Sequence, residues 1–225
     1  MNSLTRILIG AIIVGVVCIQ SSRAQESYEK LNSNLGAAVG VPLTPTSNYV
    51  HAGWGVTGGV GYNFSAHHSL IGEFMWNRLY ATDAALQPIW AASQNNNISG
   101  QSTVYAVTGN YRFELQGKAM GPYFIGGGGL YYRTTSLSKP VASGTSTVCA
   151  PAWPWWGFNC TSGIVTTSQQ IAGAGSTAMG VNGGIGFTVR VGEAPYRLFV
   201  ESRYHYAPNK PTSTQLVVLT VGIRY

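Results

Sequence analysis

The chain has 225 residues, with 29 Gly, 13 Tyr, 7 Phe and 6 Trp, and its 13 basic against 7 acidic residues give a formal charge of +6. Charged residues make up 9%, against about 25% in an average soluble domain, while 45% are hydrophobic and 12% aromatic, which excludes a disordered chain. Scarce Glu and Lys exclude a coiled coil, Gly without a three-residue period excludes collagen, and basic residues that form no run leave no footprint for nucleic acid.

Residues 1–24 read as a secretory signal peptide. Arg6 supplies the positive start, residues 7–19 are an uncharged apolar run, and Ser22 and Ala24 are the small residues of a cleavage site before Gln25. The run is short of the ~20 residues that a spanning helix needs. Cleavage removes Arg6, Arg23 and Cys18, leaving 225 − 24 = 201 residues, a charge of +6 − 2 = +4, and two cysteines, Cys149 and Cys160. Export to an oxidising compartment and an even count predict a Cys149–Cys160 disulfide. Residues 25–30 are then a short periplasmic tail, and 31–225 a single β-barrel.

From residue 35 onward the recurring period is two, and no convincing helical spacing is found. Eight strands are predicted at 35–43, 54–64, 69–79, 103–115, 122–133, 177–191, 196–206 and 215–225. Most reach ten residues, whereas soluble strands average about 5–6 and membrane strands need about 9–11. Connections after the second, fourth and sixth strands are short. Those at 44–53, 80–102 and 134–176 are long, and 207–214 is intermediate. Short turns on one side and long loops on the other are the pattern of an outer-membrane barrel, with both chain ends on the short-turn, periplasmic side. The fold class expected is therefore all-β, an eight-stranded antiparallel up-and-down transmembrane barrel. A soluble eight-stranded barrel would need neither such strands nor such a split in loop length.

The strand faces point the same way. In the last strand Val217, Leu219, Val221, Ile223 and Tyr225 oppose Leu216, Val218, Thr220, Gly222 and Arg224. In the seventh, Leu198, Val200, Ser202, Tyr204 and Tyr206 oppose Arg197, Phe199, Glu201, Arg203 and His205. In the fourth, Tyr105, Val107, Gly109, Tyr111, Phe113 and Leu115 oppose Thr108, Asn110, Arg112 and Glu114. The charged face fits the inside. Eight strands leave a lumen just wide enough for side chains, so Glu73, Glu114 and Glu201 are expected to interlock with Arg112, Arg190, Arg203 and Arg224. The fifth strand, with four glycines at 126–129, has no assignable parity. Two aromatic belts are expected, with Tyr62, Tyr111, Tyr123 and Tyr225 at the short-turn end, and Trp54, Trp76, Tyr131 and Tyr204 at the long-loop end.

The sequences Gly58-Gly59-Val60-Gly61-Tyr62, Gly121-Pro122-Tyr123-Phe124-Ile125-Gly126, Phe199-Val200-Glu201-Ser202-Arg203-Tyr204 and Val221-Gly222-Ile223-Arg224-Tyr225 come in this order. On them the chain resembles the OmpA-like eight-stranded outer-membrane β-barrels over nearly all of 31–225. The resemblance implies a monomer in the outer membrane of a Gram-negative-type bacterium, surrounded by lipid and lipopolysaccharide. It also implies that Val221, Ile223 and Tyr225 are a C-terminal signal to the barrel-assembly machinery. The larger members' peptidoglycan-binding domain does not follow Tyr225, so cell-wall tethering is not implied.

Candidate chemistry is sparse. His67, His68, Ser69 and Glu73 contain the residue types of a hydrolytic dyad with an orienting carboxylate, as in a lipid-A deacylase. A periplasmic turn is the wrong side for that substrate, and no enzyme is expected. Neither metal spacing nor a nucleotide loop in a strand-to-helix setting is found, so no cofactor is expected. The distinctive segment is the ring closed by Cys149 and Cys160, which would contribute about 3 kcal/mol in the chain-entropy model. Its Trp153, Trp155, Trp156 and Phe158 are either a local core or a patch for an extracellular ligand. The function expected is structural or one of surface interaction, with a narrow pore or a lipid-modifying hydrolase as alternatives.

Overall fold

The computed structural model describes residues 29–115, 120–152, 157–192 and 195–225. The signal segment therefore lies outside the described residues, as do Trp153, Trp155 and Trp156. Period-two alternation resolves into eight strands: β1 (Leu31–Pro42), β2 (Val50–Asn63), β3 (His68–Ala81), β4 (Ser99–Glu114), β5 (Met120–Ala152), β6 (Gly157–Arg190), β7 (Arg197–Ala207) and β8 (Thr214–Arg224). Each pairs antiparallel with the next. β1 pairs with β8 from Asn34↔Arg224 to Pro42↔Leu216, which closes the barrel. Closure leaves no strand edge in the wall, which a backbone in hydrocarbon requires.

The wall is apolar outside. Leu35, Val60, Val107, Ile185 and Val221 are each at least 60% exposed. In water this would be one large apolar patch, and in a bilayer it is the lipid face. The alternation expected for β4, β7 and β8 is the one observed.

Four expectations need correction. First, the connection between β3 and β4 holds a helix, α1 (Asp83–Ser93), where none was expected. Thr82 caps it by accepting from the Ala85 N–H at 3.2 Å, Leu86 is buried, and the Trp90 indole donates to the Ile98 carbonyl at 2.8 Å. The spacing of Leu86, Ile89 and Trp90 is helical, but it is only one turn long and contains Pro88.

Second, 134–176 is no loop. β5 and β6 run for 33 and 34 residues and stay paired to Ala152↔Gly157. β4 pairs with β5 as far as Ser99↔Ser138, and β7 pairs with β6 only from Tyr206↔Val181 onward. Residues 139–152 of β5 therefore pair with β6 alone, projecting about 45 Å at ~3.3 Å per residue.

Third, the parity of β5 is set by its neighbours. Tyr123 and Tyr131 face the lumen, each 1% exposed, and are not belt residues. Glycines on the facing strand make room for them: a Cβ on Gly186 would run into the Tyr123 ring, and one on Gly180 into the Tyr131 ring. Fourth, the lumen is not charged throughout. Its outer half is a packed cluster of Val50, Met75, Leu79, Val104, Tyr131, Leu216 and Val218.

Candidate functional site

The middle of the lumen is held by one guanidinium. Arg203 on β7 reaches across to Glu73 on β3, donating from Nη1 to Oε1 at 2.6 Å and from Nη2 to Oε2 at 3.3 Å. Its Nη2 also donates to Glu201, two residues back on the same face of β7. Glu201 accepts from the Tyr123 hydroxyl at 2.9 Å. These four residues are all 6% exposed or less. Such charge-assisted, two-pronged contacts are the strong kind of hydrogen bond. The pairing differs from an interlock of adjacent strands. β3 and β7 stand four strands apart in a ring of eight, so the contact is a chord across the lumen. A second chord joins Asn182 on β6 to Asn110 on β4 at 2.9 Å, and Tyr131 meets His205 at 2.9 Å.

Nearer the short-turn end a single carboxylate gathers several donors. Glu114 on β4 accepts from Arg224 Nη1 on β8 at 3.1 Å and from the Thr188 hydroxyl on β6 at 3.1 Å. Arg112 Nε lies 3.5 Å away and Arg197 Nη1 3.6 Å. The Arg224 guanidinium sits 4.5 Å over the Tyr123 ring and 5.2 Å from that of Phe199.

Of the seven charged residues expected to form one network, the structure thus brings together six, in two groups. Glu73, Glu201 and Arg203 form the inner one, and Glu114, Arg112 and Arg224 the other. Arg190 is exposed at the short-turn rim, at the end of β6 where water reaches it, and has no ion pair among the described residues. Its register partner Arg197 turns to Glu114 instead. Sequence reasoning put Arg197 on the inward face but left it out of the network. The signal was its place two residues before Phe199 on the charged face of β7.

The hydrolytic residues do not converge. His67 Nδ1 meets the Glu114 carbonyl at 2.8 Å, His68 Nδ1 meets the Tyr111 hydroxyl, and Glu73 is engaged by Arg203. Ser69 is buried, and among the described residues no hydrogen bond joins it to either imidazole.

At the outer mouth α1, the turn at Thr46–Asn48, and β4 and β5 enclose a cavity of about 310 Å³, lined by Tyr49, Leu86, Ile89, Leu137 and Arg133 among others. Beyond it, Cys149 and Cys160 are register partners in the β5–β6 ladder, and Phe158 is the partner of Pro151. Val221 and Ile223 on β8 and Tyr225 just after it are exposed on the outward side.

No family model matches the chain, and a search of curated proteins finds no match. Solved structures do match. Neisserial surface protein A is similar at a TM-score of 0.52 and 13% identity, over 88% of this chain and 98% of that one. Ail, the attachment invasion locus protein of Yersinia pestis, is similar at 0.48 and 14%, over 88% and 100%. The outer membrane protein OprG of Pseudomonas aeruginosa is similar at 0.43 and 14%, over 87% and 94%. At this identity the likeness to Neisserial surface protein A is one of fold, and it agrees with the closed eight-stranded ring and its apolar outer wall. By fold, the chain is an eight-stranded antiparallel β-barrel of the outer-membrane type.

Proposed function

We propose that the protein is a monomeric, non-conducting anchor in the outer membrane that presents the β5–β6 hairpin as a surface-interaction element. The observation that carries this reading is the continuation of the β5–β6 ladder past Ser138, where all other strands have ended. Between Thr134 and Ser176 the one charged side chain is Lys139. Recognition there rests on hydroxyl and amide groups and on the aromatic tip, not on charge steering.

The register supports the disulfide. Antiparallel partners stand about 4.5–5.5 Å apart at Cα, inside the ~4.4–6.8 Å range that a disulfide spans. In this reading Cys149–Cys160 staples the two strands of the hairpin. Residues 1–24 direct export, and the outward stripe of Val221, Ile223 and Tyr225 is offered to the barrel-assembly machinery. Against a narrow pore stand the Arg203 chord and the apolar cluster above it. Against a hydrolase stands the separate engagement of His67, His68 and Glu73.

The test removes residues 139–169, whose ends are register partners, and joins 138 to 170 by a short turn. The shortened protein is expected to insert and to keep its heat-modifiable gel mobility. Bacteria displaying it should lose adhesion to epithelial layers and matrix-coated glass that the full-length protein confers. Unchanged adhesion would refute the hairpin as the interacting element.

A further inference from the structure

We propose that the periplasmic mouth of the barrel binds an oxyanion of the phosphate class. Among the described residues, Arg112, Arg197 and Arg224 pair with one carboxylate, that of Glu114, so the cluster carries 3 − 1 = +2. The Arg203 cluster has the opposite balance, two carboxylates to one guanidinium, and is self-contained. Glu114 accepts hydrogen bonds from Thr188 and Arg224, while Arg112 and Arg197 stand from it at ion-pair distance. Thr188 and Arg197 approach its Oε1, and Arg112 and Arg224 its Oε2.

Several guanidinium nitrogens of this cluster are buried without a hydrogen-bond acceptor. Arg112 Nε and Nη1, Arg197 Nη1 and Arg224 Nε have no hydrogen-bond partner among the described residues. Arg112 is 4% exposed as a residue. Donors of a charged group held away from water in this way are costly unless an anion meets them. Beside them lies a cavity of about 320 Å³, lined by these three arginines, Arg190, His67 and Ser69 among others. Glu29 is at its lip and pairs with none of the guanidiniums among the described residues.

The geometry selects the ligand class. Planar guanidinium forks match the paired oxygens of a tetrahedral oxyanion, and a dianion neutralises the charge of +2. A phosphate monoester, with its second pKa near ~6, is largely dianionic at neutral pH. The stacking of Arg224 on Tyr123 and Phe199 holds one fork in place. Exposed Arg190 at the rim adds a positive charge on the way in. The ligand enters from the short-turn side, either as free phosphate or as the headgroup of a lipid.

The experiment titrates inorganic phosphate into the full-length protein in phosphatidylcholine nanodiscs at pH 7.5 and low salt, read by calorimetry. One phosphate per barrel is expected to bind. Arg112→Gln and Arg197→Gln should each lower the affinity at least tenfold, while Arg133→Gln at the outer mouth should leave it unchanged. Heat-modifiable mobility reports folding of each variant. Should Arg112→Gln fail to fold, the rim residue Arg197 decides the matter. In discs containing phosphatidic acid, a headgroup occupant would abolish the phosphate heat in the wild type, and a free-phosphate site would keep it. Absence of phosphate binding in phosphatidylcholine discs, or binding that Arg197→Gln leaves unchanged, would overturn the proposal.

Discussion

Within the barrel wall each strand has a partner on both sides, whereas beyond Ser138 on β5 and before Val181 on β6 the two strands have only each other. Backbone geometry is antiparallel in both regions, yet the sequences differ in kind. In the wall, lipid on one face and a packed lumen on the other impose strict alternation, as in Val217 to Tyr225. In the hairpin both faces meet one solvent, and the Ser-, Thr-, Ala- and Gly-rich run of 134–176 has no period to read. The difference teaches that period two reports a contrast between two environments, not the strand itself.

The two regions can be separated by perturbation, beginning with the largest expected effect. Glu73→Ala leaves Arg203 with one of its two carboxylates in a site sealed from water. Breaking a buried pair costs about 3–5 kcal/mol, so the unfolding midpoint in detergent should fall far more than for Glu29→Ala in the tail. Equal, small shifts would mean that Glu73 is solvated and the lumen open.

Val107→Lys tests the outer wall. Val107 is 61% exposed, and in a soluble sheet a lysine there would cost almost nothing. Near the bilayer midplane it should cost about 2–4 kcal/mol. Refolding equilibria in lipid vesicles give the number, and a neutral result would contradict the inside-out assignment.

A smaller effect is expected at Gly186, which faces the Tyr123 ring. Gly186→Val should displace Tyr123 from Glu201 and destabilise by about 1–3 kcal/mol. Gly109, with nothing within 4 Å of an added Cβ on the outward face, is the control. Gly109→Ala should stay within about 0.5 kcal/mol of the wild type. Similar losses at both sites would mean that the parity of β4 or β6 is wrong.

The smallest effect on the barrel is expected from the cysteines. Cys149→Ser/Cys160→Ser should insert and stay heat-modifiable, because the closed sheet does not depend on the hairpin, while added protease should cleave the hairpin faster. Failure to assemble would tie the staple to barrel folding.

What was legible in the sequence followed the same contrast. Strand number, closure and the faces of β4, β7 and β8 could be read because apolar and polar residues alternate there. The phase of β5 was lost in Gly126 to Gly129, which have no side chains to show it, and so Tyr123 and Tyr131 passed for belt residues. The grouping of the lumen charges was not legible, since chords between strands four apart depend on the curvature of the ring. The apolar outer half of the lumen was hidden because Met75, Leu79 and Val104 resemble wall residues unless their parity is followed to the end of each strand. Helix α1 was masked by Pro88.

The claim on which the rest depends is that the lumen is closed, so that function resides at the two ends of the barrel. Conductance of the purified, folded protein in planar bilayers tests it most directly. With Glu73, Arg203 and Glu201 across the middle and Met75, Leu79, Val104, Leu216 and Val218 packed above them, the account predicts no stable conductance steps above the bare membrane. Large, long-lived steps from the wild-type protein would contradict it.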